Sequence, residues 1–346
     1  MRRATAEEIS TWDDLVAHNG DEGNMLQGAS WASFKTQWGW KARHFVDESS
    51  GTAVQVLLRR APLAGEVAYI PKGPGCTSLS DLGKIVRGLV PLLPGCTVIQ
   101  VEPEWEASEE MISFLERDGF VKSAYDIQLT HSTMVVELAG TMEEIRARYR
   151  PKGRYNLGVA KRHGVHVALI ASPTPDELDV LDKLVDLTND RAQYTVRPAG
   201  YLQSSWKEYL NAREGFLALA YFNEEPVAGA FVTVLGKKAW YKDGGSSRDH
   251  REVMAPYALH DCILEHLLAR GITSYDLGSV PPPDEVTNTH PLYGLYRFKK
   301  AFGARHDNYV GTWDYPVQRF KYVLWRRVVQ KIASRYSVSR KHMAWY

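Results

Sequence analysis

The sequence contains little cysteine. Its 346 residues include only Cys76, Cys96 and Cys262, and no two of them form a Cys-x-x-Cys pair. An odd number of isolated cysteines argues against a disulfide framework and against a zinc site built from cysteine pairs, and it is typical of a reducing compartment. We also expect that the protein needs no metal and no other cofactor.

Long apolar runs are also missing. No stretch approaches 18 uninterrupted apolar residues, and the first eight residues, Met-Arg-Arg-Ala-Thr-Ala-Glu-Glu, lack the apolar core of a signal peptide. These features predict a soluble, cytoplasmic protein, and we expect it to be a monomer. They are also compatible with a protein that associates with the inner face of the membrane.

The formal net charge is only +1, so binding to a polyanion would require a local basic patch. Residues 319–341 provide one, because they contain eight cations and no acidic residue: Arg319, Lys321, Arg326, Arg327, Lys331, Arg335, Arg340 and Lys341. Apolar residues recur among them at near-helical spacing, which predicts a basic amphipathic helix. Such a helix could pack on a domain, lie on anionic lipid or contact RNA.

A chain of this length, with 44% hydrophobic residues, can form two cores. Strands are predicted over 52–59, 66–70, 97–102, 134–138, 215–222, 226–235, 237–242 and 272–277. Helices are predicted over 81–93 and 108–118, and another carries apolar residues from Ala255 to Leu267 and stops at Gly271. The order of elements in the first half thus recurs in the second.

Two pairs of strings support an internal duplication. The string from Ala68 to Gly73 resembles that from Ala239 to Gly244 at an offset of 171 residues (239 − 68), and Glu102 matches Asp276 at an offset of 174 (276 − 102). In both halves a strand enters a glycine turn, a helix crosses over, and a strand ends on a carboxylate. We therefore predict a duplicated α/β unit, with chance similarity of two βαβ units as the alternative.

A cationic segment lies between the two halves. Thr141 followed by Glu144 predicts a capping box, and Pro151 with Gly153 should interrupt the helix that begins there. A second short helix should follow and end before Gly164. The segment contains seven cations: Arg146, Arg148, Arg150, Lys152, Arg154, Lys161 and Arg162. It is either a solvated linker or a shelf for phosphates.

Two lysines follow the proline-rich stretch 280–291. Loop chemistry there predicts that a helix begins near Pro291 and carries Lys299 and Lys300 behind a series of aromatic residues. The lysines are either solvated on an ordinary amphipathic helix or positioned to meet an anion.

Five segments in register along almost the whole chain resemble the Fem family of peptidoglycan-bridge peptidyltransferases. They are Met25–Trp40 with its Trp-Ala-Ser-Phe-Lys motif, Tyr69–Gly75, Arg154–Val165, Tyr275–Gly278 and Tyr296–Gly303. The resemblance implies two tandem GNAT-like (acetyltransferase-like) domains with an α/β fold. It implies transfer of an amino acid from aminoacyl-tRNA to the stem peptide of a UDP-linked or lipid-linked muropeptide precursor.

The same resemblance implies a discontinuous first domain. Residues 1–140 with 311–346 would form the precursor-binding domain, and residues 141–310 the catalytic domain that meets the end of aminoacyl-tRNA. The chain resembles the compact members of the family, since no heptads are sustained as a coiled-coil arm requires.

The resemblance also assigns site residues. Lys299 matches the family's catalytic lysine and follows Phe298, and its charge suits stabilisation of an oxyanion. Residues matched to substrate binding are Lys35, Arg197, Tyr201, Tyr241, Tyr69, Glu102 and Asp276, with Lys35 and Arg197 directed to a diphosphate. Candidate tRNA contacts are Lys300, Arg154, Lys161, Arg326 and Arg327. The general base stays open among Asp276, Asp243 and a carboxylate of the substrate.

Other interpretations remain at this stage. Without the family, Lys35 would be a surface residue, Tyr201 the edge of a core and Tyr241 a packed strand aromatic. An acyl-CoA-dependent N-acyltransferase on the same double fold is the main rival, although Arg248–Ala255 lacks the Gln/Arg-x-x-Gly-x-Gly/Ala turn that holds pyrophosphate. A third possibility is a non-enzymatic module that binds RNA or a membrane through the 319–341 helix.

Overall fold

The structure is a computed structural model, and it describes residues 1–61, 63–124, 126–128, 131–192 and 198–330. The chain divides into two compact units. The first is Met1–His131 with Asn308–Tyr346, and the second is Ser132–Asp307.

Fourteen strands are present in the described chain. In order they are β1 Arg2–Arg3, β2 Lys41–Val46, β3 Ala53–Ala61, β4 Gly65–Ile70, β5 Cys96–Val101, β6 Val121–Lys122, β7 Ser132–Glu137, β8 His166–Ile170, β9 Gly215–Phe222, β10 Glu225–Leu235, β11 Lys238–Ser246, β12 Ser274–Ser279, β13 Arg305–Asn308 and β14 Trp313–Pro316.

The same part of the chain forms twelve α-helices. They are α1 Ala6–Ser10, α2 Trp12–Ala17, α3 Ala29–Gln37, α4 Leu79–Leu89, α5 Glu109–Arg117, α6 Met142–Arg148, α7 Pro151–Arg162, α8 Pro175–Ala192, α9 Tyr201–Asn211, α10 Ala255–Ala269, α11 Tyr293–Lys300 and α12 Arg319–Leu324. A π-helical turn, Trp325–Val329, continues α12, and the rest of the predicted 319–341 helix lies outside the described residues.

The two sheets share one strand order. The first sheet runs β1-β2-β3-β4-β5-β14-β6, and the second runs β8-β9-β10-β11-β12-β7-β13. In both, the first three neighbouring pairs are antiparallel, the fourth pair (β4 with β5, β11 with β12) is parallel, and the next is antiparallel again. The predicted duplication of an α/β unit is confirmed.

Each sheet receives one strand from the other half of the sequence. β7 follows β6 along the chain but pairs with β12 in the second sheet, whereas β14 lies between β5 and β6 in the first. The predicted boundaries at 140/141 and 310/311 lie nine and three residues beyond those of the compact units, at 131/132 and 307/308. The first differs because strand β7 was assigned to the first domain. Apolar alternation makes a strand but does not select the sheet that it joins.

The strand register corrects one detail of the internal alignment. Ala68 pairs with Ile99, and its counterpart Ala239 pairs with Tyr275. One residue further along, Gln100 rather than Glu102 is therefore the counterpart of Asp276. The carboxylates at the two strand ends resemble each other in sequence, but they occupy positions two residues apart.

Short sequence motifs determine where helices α6, α7 and α11 of the second unit begin or end. The capping box predicted at Thr141 is confirmed, since Thr141 N donates to Glu144 Oε2 (2.7 Å) and Glu144 N donates to Thr141 Oγ1 (3.3 Å). Pro151 ends α6 and stands at the first turn of α7, where its missing N–H costs nothing. The helix predicted near Pro291 begins at Tyr293.

Candidate active site

The parallel strands β11 and β12 separate at their carboxyl ends. Their pairing runs from Lys238 with Ser274 to Trp240 with Asp276 and goes no further. Beyond it, β12 rejoins β7 through Ser279 and Thr133 after one extra residue, which is a β-bulge. Crevices at the carboxyl ends of parallel strands are where α/β sheets bind ligands, so this opening is a candidate site.

Lys299 lies at this opening. It is in the last turn of α11, only 5% of its surface is exposed, and its Nζ donates to the carbonyl of Ser279 at 2.9 Å. Burial lowers its pKa to about 8, although the negative charge of Asp276 acts in the opposite direction. The solvated-lysine interpretation of the sequence is therefore wrong for Lys299.

Asp276 holds the bulge next to that lysine. Its Oδ1 accepts from Gly278 N at 2.7 Å and from the hydroxyl of Thr133 on the neighbouring strand. Gly278 has φ +80°, a conformation that favours glycine, and a Cβ there would lie 3.6 Å from Lys299 Nζ. The Tyr275-Asp-Leu-Gly motif thus forms a turn that exposes backbone to the ammonium group.

A cluster of aromatic rings lies next to Lys299. The Phe298 ring contacts those of Tyr257, His260 and Phe302 at centroid distances of 5.2, 5.5 and 5.3 Å. His260 is buried, and burial together with the charge of Lys299 lowers its pKa to about 3. It is therefore neutral at pH 7, and it shares a 3.3 Å hydrogen bond with the hydroxyl of Tyr275.

Tyr241 on β11 packs against this aromatic cluster. Its ring meets His260 edge-on at 4.7 Å, and burial followed by the charge of Asp243 raises its pKa, so the phenol stays protonated. A bulge at Lys242 separates it from Asp243, which accepts from Trp206 Nε1 (2.8 Å) and Lys242 Nζ (2.7 Å). Tyr241 is thus a packed strand aromatic, as one of the alternatives held, and it also borders the opening.

Close backbone contact with α7 fixes the position of α11. Arg150 N donates to Ala301 O at 2.9 Å, and a Cβ on Gly153 would collide with that same carbonyl. Lys300, next to Lys299, lies on a different side of α11, where its Nζ donates to Tyr296 Oη at 2.5 Å. Only the first of the two lysines is directed into the opening between β11 and β12.

The first unit has a polar crevice at the same place in its own sheet. The hydroxyl of Tyr69, on β4, donates to Glu102 Oε2 at 2.5 Å, and Glu102 is the residue that follows β5. Gln128 Nε2 donates to the same tyrosine oxygen at 2.9 Å. Thr312 Oγ1 donates to Glu102 Oε1 at 2.6 Å. The structure therefore brings together Tyr69 and Glu102, which the family resemblance assigned to substrate binding.

The rim of this crevice carries both charge signs. Asp126 accepts from His131 Nδ1 at 2.9 Å; burial opposes ionisation, but His131 and Lys122 together lower the pKa of Asp126 to about 2. Lys72 Nζ lies 3.9 Å from Glu104 Oε1 and 5.1 Å from the centre of the Tyr309 ring. No motif in the sequence indicated this rim, because Lys72, the segment 122–131 and Tyr309 are far apart along the chain.

Lys35 is buried inside an aromatic cage. Its ammonium lies 5.3 Å from the Trp31 ring centre, 5.6 Å from Trp40 and 6.0 Å from Phe34. The surface-residue interpretation of Lys35 is therefore wrong. Tyr201 is buried at the start of α9, as the core-edge alternative held. Arg197 lies outside the described residues.

The predicted tRNA contacts are spread over both units. Arg154 is exposed, but its guanidinium donates to the carbonyls of Ala147 and Tyr149 and closes the break between α6 and α7. Lys161 is exposed at the end of α7. Arg326 donates to Lys122 O at 3.2 Å, and Arg327 is exposed. Their role in binding RNA stays a prediction.

Part of the cationic segment is structural. Arg146 makes a bidentate contact with the buried Asp261 (2.9 and 2.8 Å) and reaches Glu265 at 2.7 Å. Tyr149 Oη donates to the same aspartate at 3.0 Å. These bonds join α6 to α10, so Arg146 is not part of a phosphate shelf.

Two absences concern only the described ranges. No group of three or more His, Cys, Asp and Glu side chains there could hold a metal ion. No helix in the same ranges is both long enough and apolar enough to cross a bilayer.

Known proteins resemble the whole chain. The profile of the FemAB family matches residues 101–225 and 220–330. A lipid II:glycine glycyltransferase of Staphylococcus aureus is 27% identical over 416 aligned positions, covering 95% of this chain and 96% of the relative. An enzyme of the same name from Staphylococcus saprophyticus is 20% identical, covering 92% and 95%.

Solved structures show the same fold. The crystal structure of FemX superposes with a TM-score of 0.82 at 18% identity, covering 94% of this chain and 100% of that one. L-PGS from Bacillus licheniformis superposes with a TM-score of 0.54 at 14% identity, covering 95% and 98%. The chain has the two-sheet fold of FemX, and with a family profile that matches most of its length it belongs to the FemAB family and is an acyltransferase.

Proposed function

We propose that this protein transfers an amino acid from aminoacyl-tRNA to the stem peptide of a lipid-linked peptidoglycan precursor. The observation that carries the proposal is the buried Lys299 at the carboxyl-end opening of β11 and β12. Relatives that align over nearly the whole chain are named lipid II:glycine glycyltransferases, which supports a lipid-linked acceptor.

The reaction is aminolysis of an ester. The amine of the stem peptide attacks the carbonyl that joins the amino acid to the tRNA, a C–N bond forms, and the ester C–O bond breaks with the tRNA hydroxyl as leaving group. Negative charge develops on the carbonyl oxygen, and a donor already fixed in a water-poor site stabilises it most effectively. A lysine with a pKa of about 8 is mostly protonated at pH 7, so Lys299 can supply that donor.

The attacking amine must lose a proton. Asp276 already accepts from Gly278 and Thr133, and Asp243 accepts from Trp206 and Lys242. These bonds favour positioning roles for the two aspartates. We therefore assign proton removal to water or to a carboxylate of the substrate, and we assign to Asp276 the task of holding the turn and keeping Lys299 charged.

The first unit offers the complementary surface for the precursor. Its crevice presents Tyr69, Glu102 and Lys72, and Lys35 in its aromatic cage lies in the same unit. Cations are suited to a diphosphate, and hydroxyl and carboxylate groups to the sugar and peptide. We propose that Lys35 contacts the diphosphate and that the crevice binds the rest of the precursor.

Acyl-CoA is a weaker candidate for the donor. Acetyltransferases hold pyrophosphate with free amides at the start of the helix that corresponds to α10. Here Val253 N donates to His250 O (3.0 Å), and Met254 N donates to Arg251 O (3.3 Å). These amides are engaged by the chain itself, which disfavours a CoA site.

The test is to incubate the protein with charged tRNA and a muropeptide precursor and to measure the added mass. We expect Lys299→Met to lower the single-turnover rate about 10²- to 10³-fold, the usual effect of losing one oxyanion donor. Lys300→Met is the matched control, and it should keep that rate at saturating aminoacyl-tRNA. A normal rate in Lys299→Met, or mass addition from acyl-CoA alone, would contradict the proposal.

A further inference from the structure

The first unit displays apolar side chains that nothing described in the structure covers. Phe320 is 95% exposed and Leu63 is 86% exposed, the two highest values among large apolar residues of the described chain. Val323, Leu324 and Val328 are between 39% and 48% exposed. We call these five residues the apolar surface. Single exposed apolar residues are ordinary, but a group of this kind marks a contact site.

The apolar surface includes the outer side of a helix that is already packed on its inner side. Tyr322 and Trp325 are buried against Ala61, Ala64, Val67 and Val98 of the first sheet. Phe320, Leu324 and Val328 follow at intervals of four residues and remain outside. The sequence predicted a single apolar face for this helix. In the structure the rings of Tyr322 and Trp325 fill the contact with the sheet, and Val323 and Val328 stay outside the core.

Hydrogen bonds to Thr97 connect the segment that carries Leu63 with the segment that carries Phe320. Thr97 on β5 donates its hydroxyl to Ala64 O, next to Leu63. The carbonyl of Thr97 accepts from Val317 N (3.0 Å) and Gln318 N (3.2 Å), directly before α12. Leu63 itself has φ +63°, a conformation that is unfavourable for leucine and that persists only where the surrounding structure imposes it. The turn therefore holds the Leu63 side chain in its exposed position.

Cations accompany the apolar surface. Residues 319–330 contain four basic residues and no acidic one, and Arg319, Lys321 and Arg327 are exposed. Arg60, near the end of β3, is exposed as well. Aliphatic side chains surrounded by Lys and Arg are the pattern of helices that lie on anionic bilayers. RNA would use the cations but would gain little from leucine and valine.

We infer that Leu63, Phe320, Val323, Leu324 and Val328, with the surrounding basic residues, form a docking surface for a bilayer of anionic phospholipid. Phe320 and Leu63 would enter the headgroup region while the arginines and lysines meet phosphates. The inference rests on the proposed function, because an acceptor anchored in lipid would then be met at the membrane.

The experiment is vesicle flotation of the full-length protein. Vesicles contain phosphatidylcholine either alone or mixed with phosphatidylglycerol. We expect binding to the anionic vesicles that weakens as salt is raised. The double variant Leu63→Ser/Phe320→Ser should bind at least about tenfold more weakly, given the apolar area that it removes from the bilayer. The matched control is Leu187→Ser, which alters a half-exposed leucine of the second unit.

Activity assays separate this inference from the proposed function. The double variant should keep its transfer rate on a water-soluble precursor and lose about tenfold on the lipid-linked precursor in anionic vesicles. Three results would overturn the inference: wild-type protein that does not float with anionic vesicles, a double variant that loses tRNA binding but still floats, or a wild-type dimer that the double substitution dissociates. Failure of transfer on both precursors, with flotation intact, would instead refute the proposed function.

Discussion

Lys299 shows at the scale of one residue how the fold changes the chemistry of a side chain. A lysine on the surface keeps an ordinary pKa, but this one is buried, contacts the carbonyl of Ser279 and has a pKa of about 8. The protonated form is therefore less favourable in the folded protein than in the unfolded chain. Functional groups of this kind reduce the stability of the protein that uses them.

That cost gives a prediction about pH. The pKa of Lys299 in the folded protein is below the usual lysine value of 10.5, so the destabilisation is fully present below pH 8 and disappears as pH rises towards 10.5. Relative to wild type, Lys299→Met should thus gain about 3 kcal/mol more in free energy of unfolding at pH 7 than at pH 10.5. Urea unfolding of both proteins across this range measures the difference, and a difference independent of pH would contradict the assigned pKa.

At the scale of elements, the active-site lysine depends on how α7 packs against the end of α11. Gly153 faces the carbonyl of Ala301, and Gly303, with φ +72°, would place a Cβ 2.5 Å from Arg148 O. Neither contact leaves room for a side chain. The glycines in this part of the sequence therefore set the position of Lys299, two residues before Ala301.

Two glycines on α7 provide a matched pair of variants. Gly153→Ala should force α11 away and lower the free energy of unfolding by about 1–3 kcal/mol, with a reduced transfer rate. A Cβ at Gly158 would meet only the flexible end of Arg162 within 4 Å. We therefore expect Gly158→Ala to raise the free energy of unfolding by about 0.5–1 kcal/mol through higher helix propensity. Chemical denaturation and single-turnover assays test both, and an equal response of the two variants would refute the close-contact explanation.

At the scale of the whole molecule, each sheet needs a strand from the far half of the sequence. β14 supplies the buried Trp313 and Asp314 to the first sheet, where Asp314 accepts from Gln100 at 2.8 Å and from Tyr322 at 3.0 Å. Without β14, β5 and β6 lose their common neighbour. A contiguous N-terminal half is thus an incomplete domain, despite containing most of its core.

This arrangement predicts how fragments behave. A fragment of residues 1–131 should fail to fold cooperatively, since it would expose a strand edge and part of its core. Residues 1–131 joined by a flexible linker to residues 308–346 should restore a cooperative transition. Circular dichroism and amide hydrogen exchange distinguish the two, and a cooperatively folded 1–131 fragment would show that β14 is dispensable.

Much of the site could be anticipated from local sequence. The helix carrying Lys299 and Lys300, the Thr141 cap and the strand leading to Gly278 were predictable, because apolar period and capping chemistry act within a few residues. The rim of Lys72, Asp126 and His131 was not predictable. Asp126 and His131 are close in sequence, but Lys72 joins them only when distant segments fold, and spacing along the chain carries no trace of that proximity.

The sequence by itself was enough to predict eight of the fourteen described strands, the duplicated α/β unit and the resemblance to the Fem family, since each of these depends on short-range patterns. Only the tertiary structure decided that β7 and β14 exchange sheets, that Lys35 and Lys299 are buried, and that Phe320 and Leu63 are left outside. Those outcomes depend on which surfaces meet after the chain collapses. Burial, and the pKa values that follow from it, are properties of that packing and not of any residue taken alone.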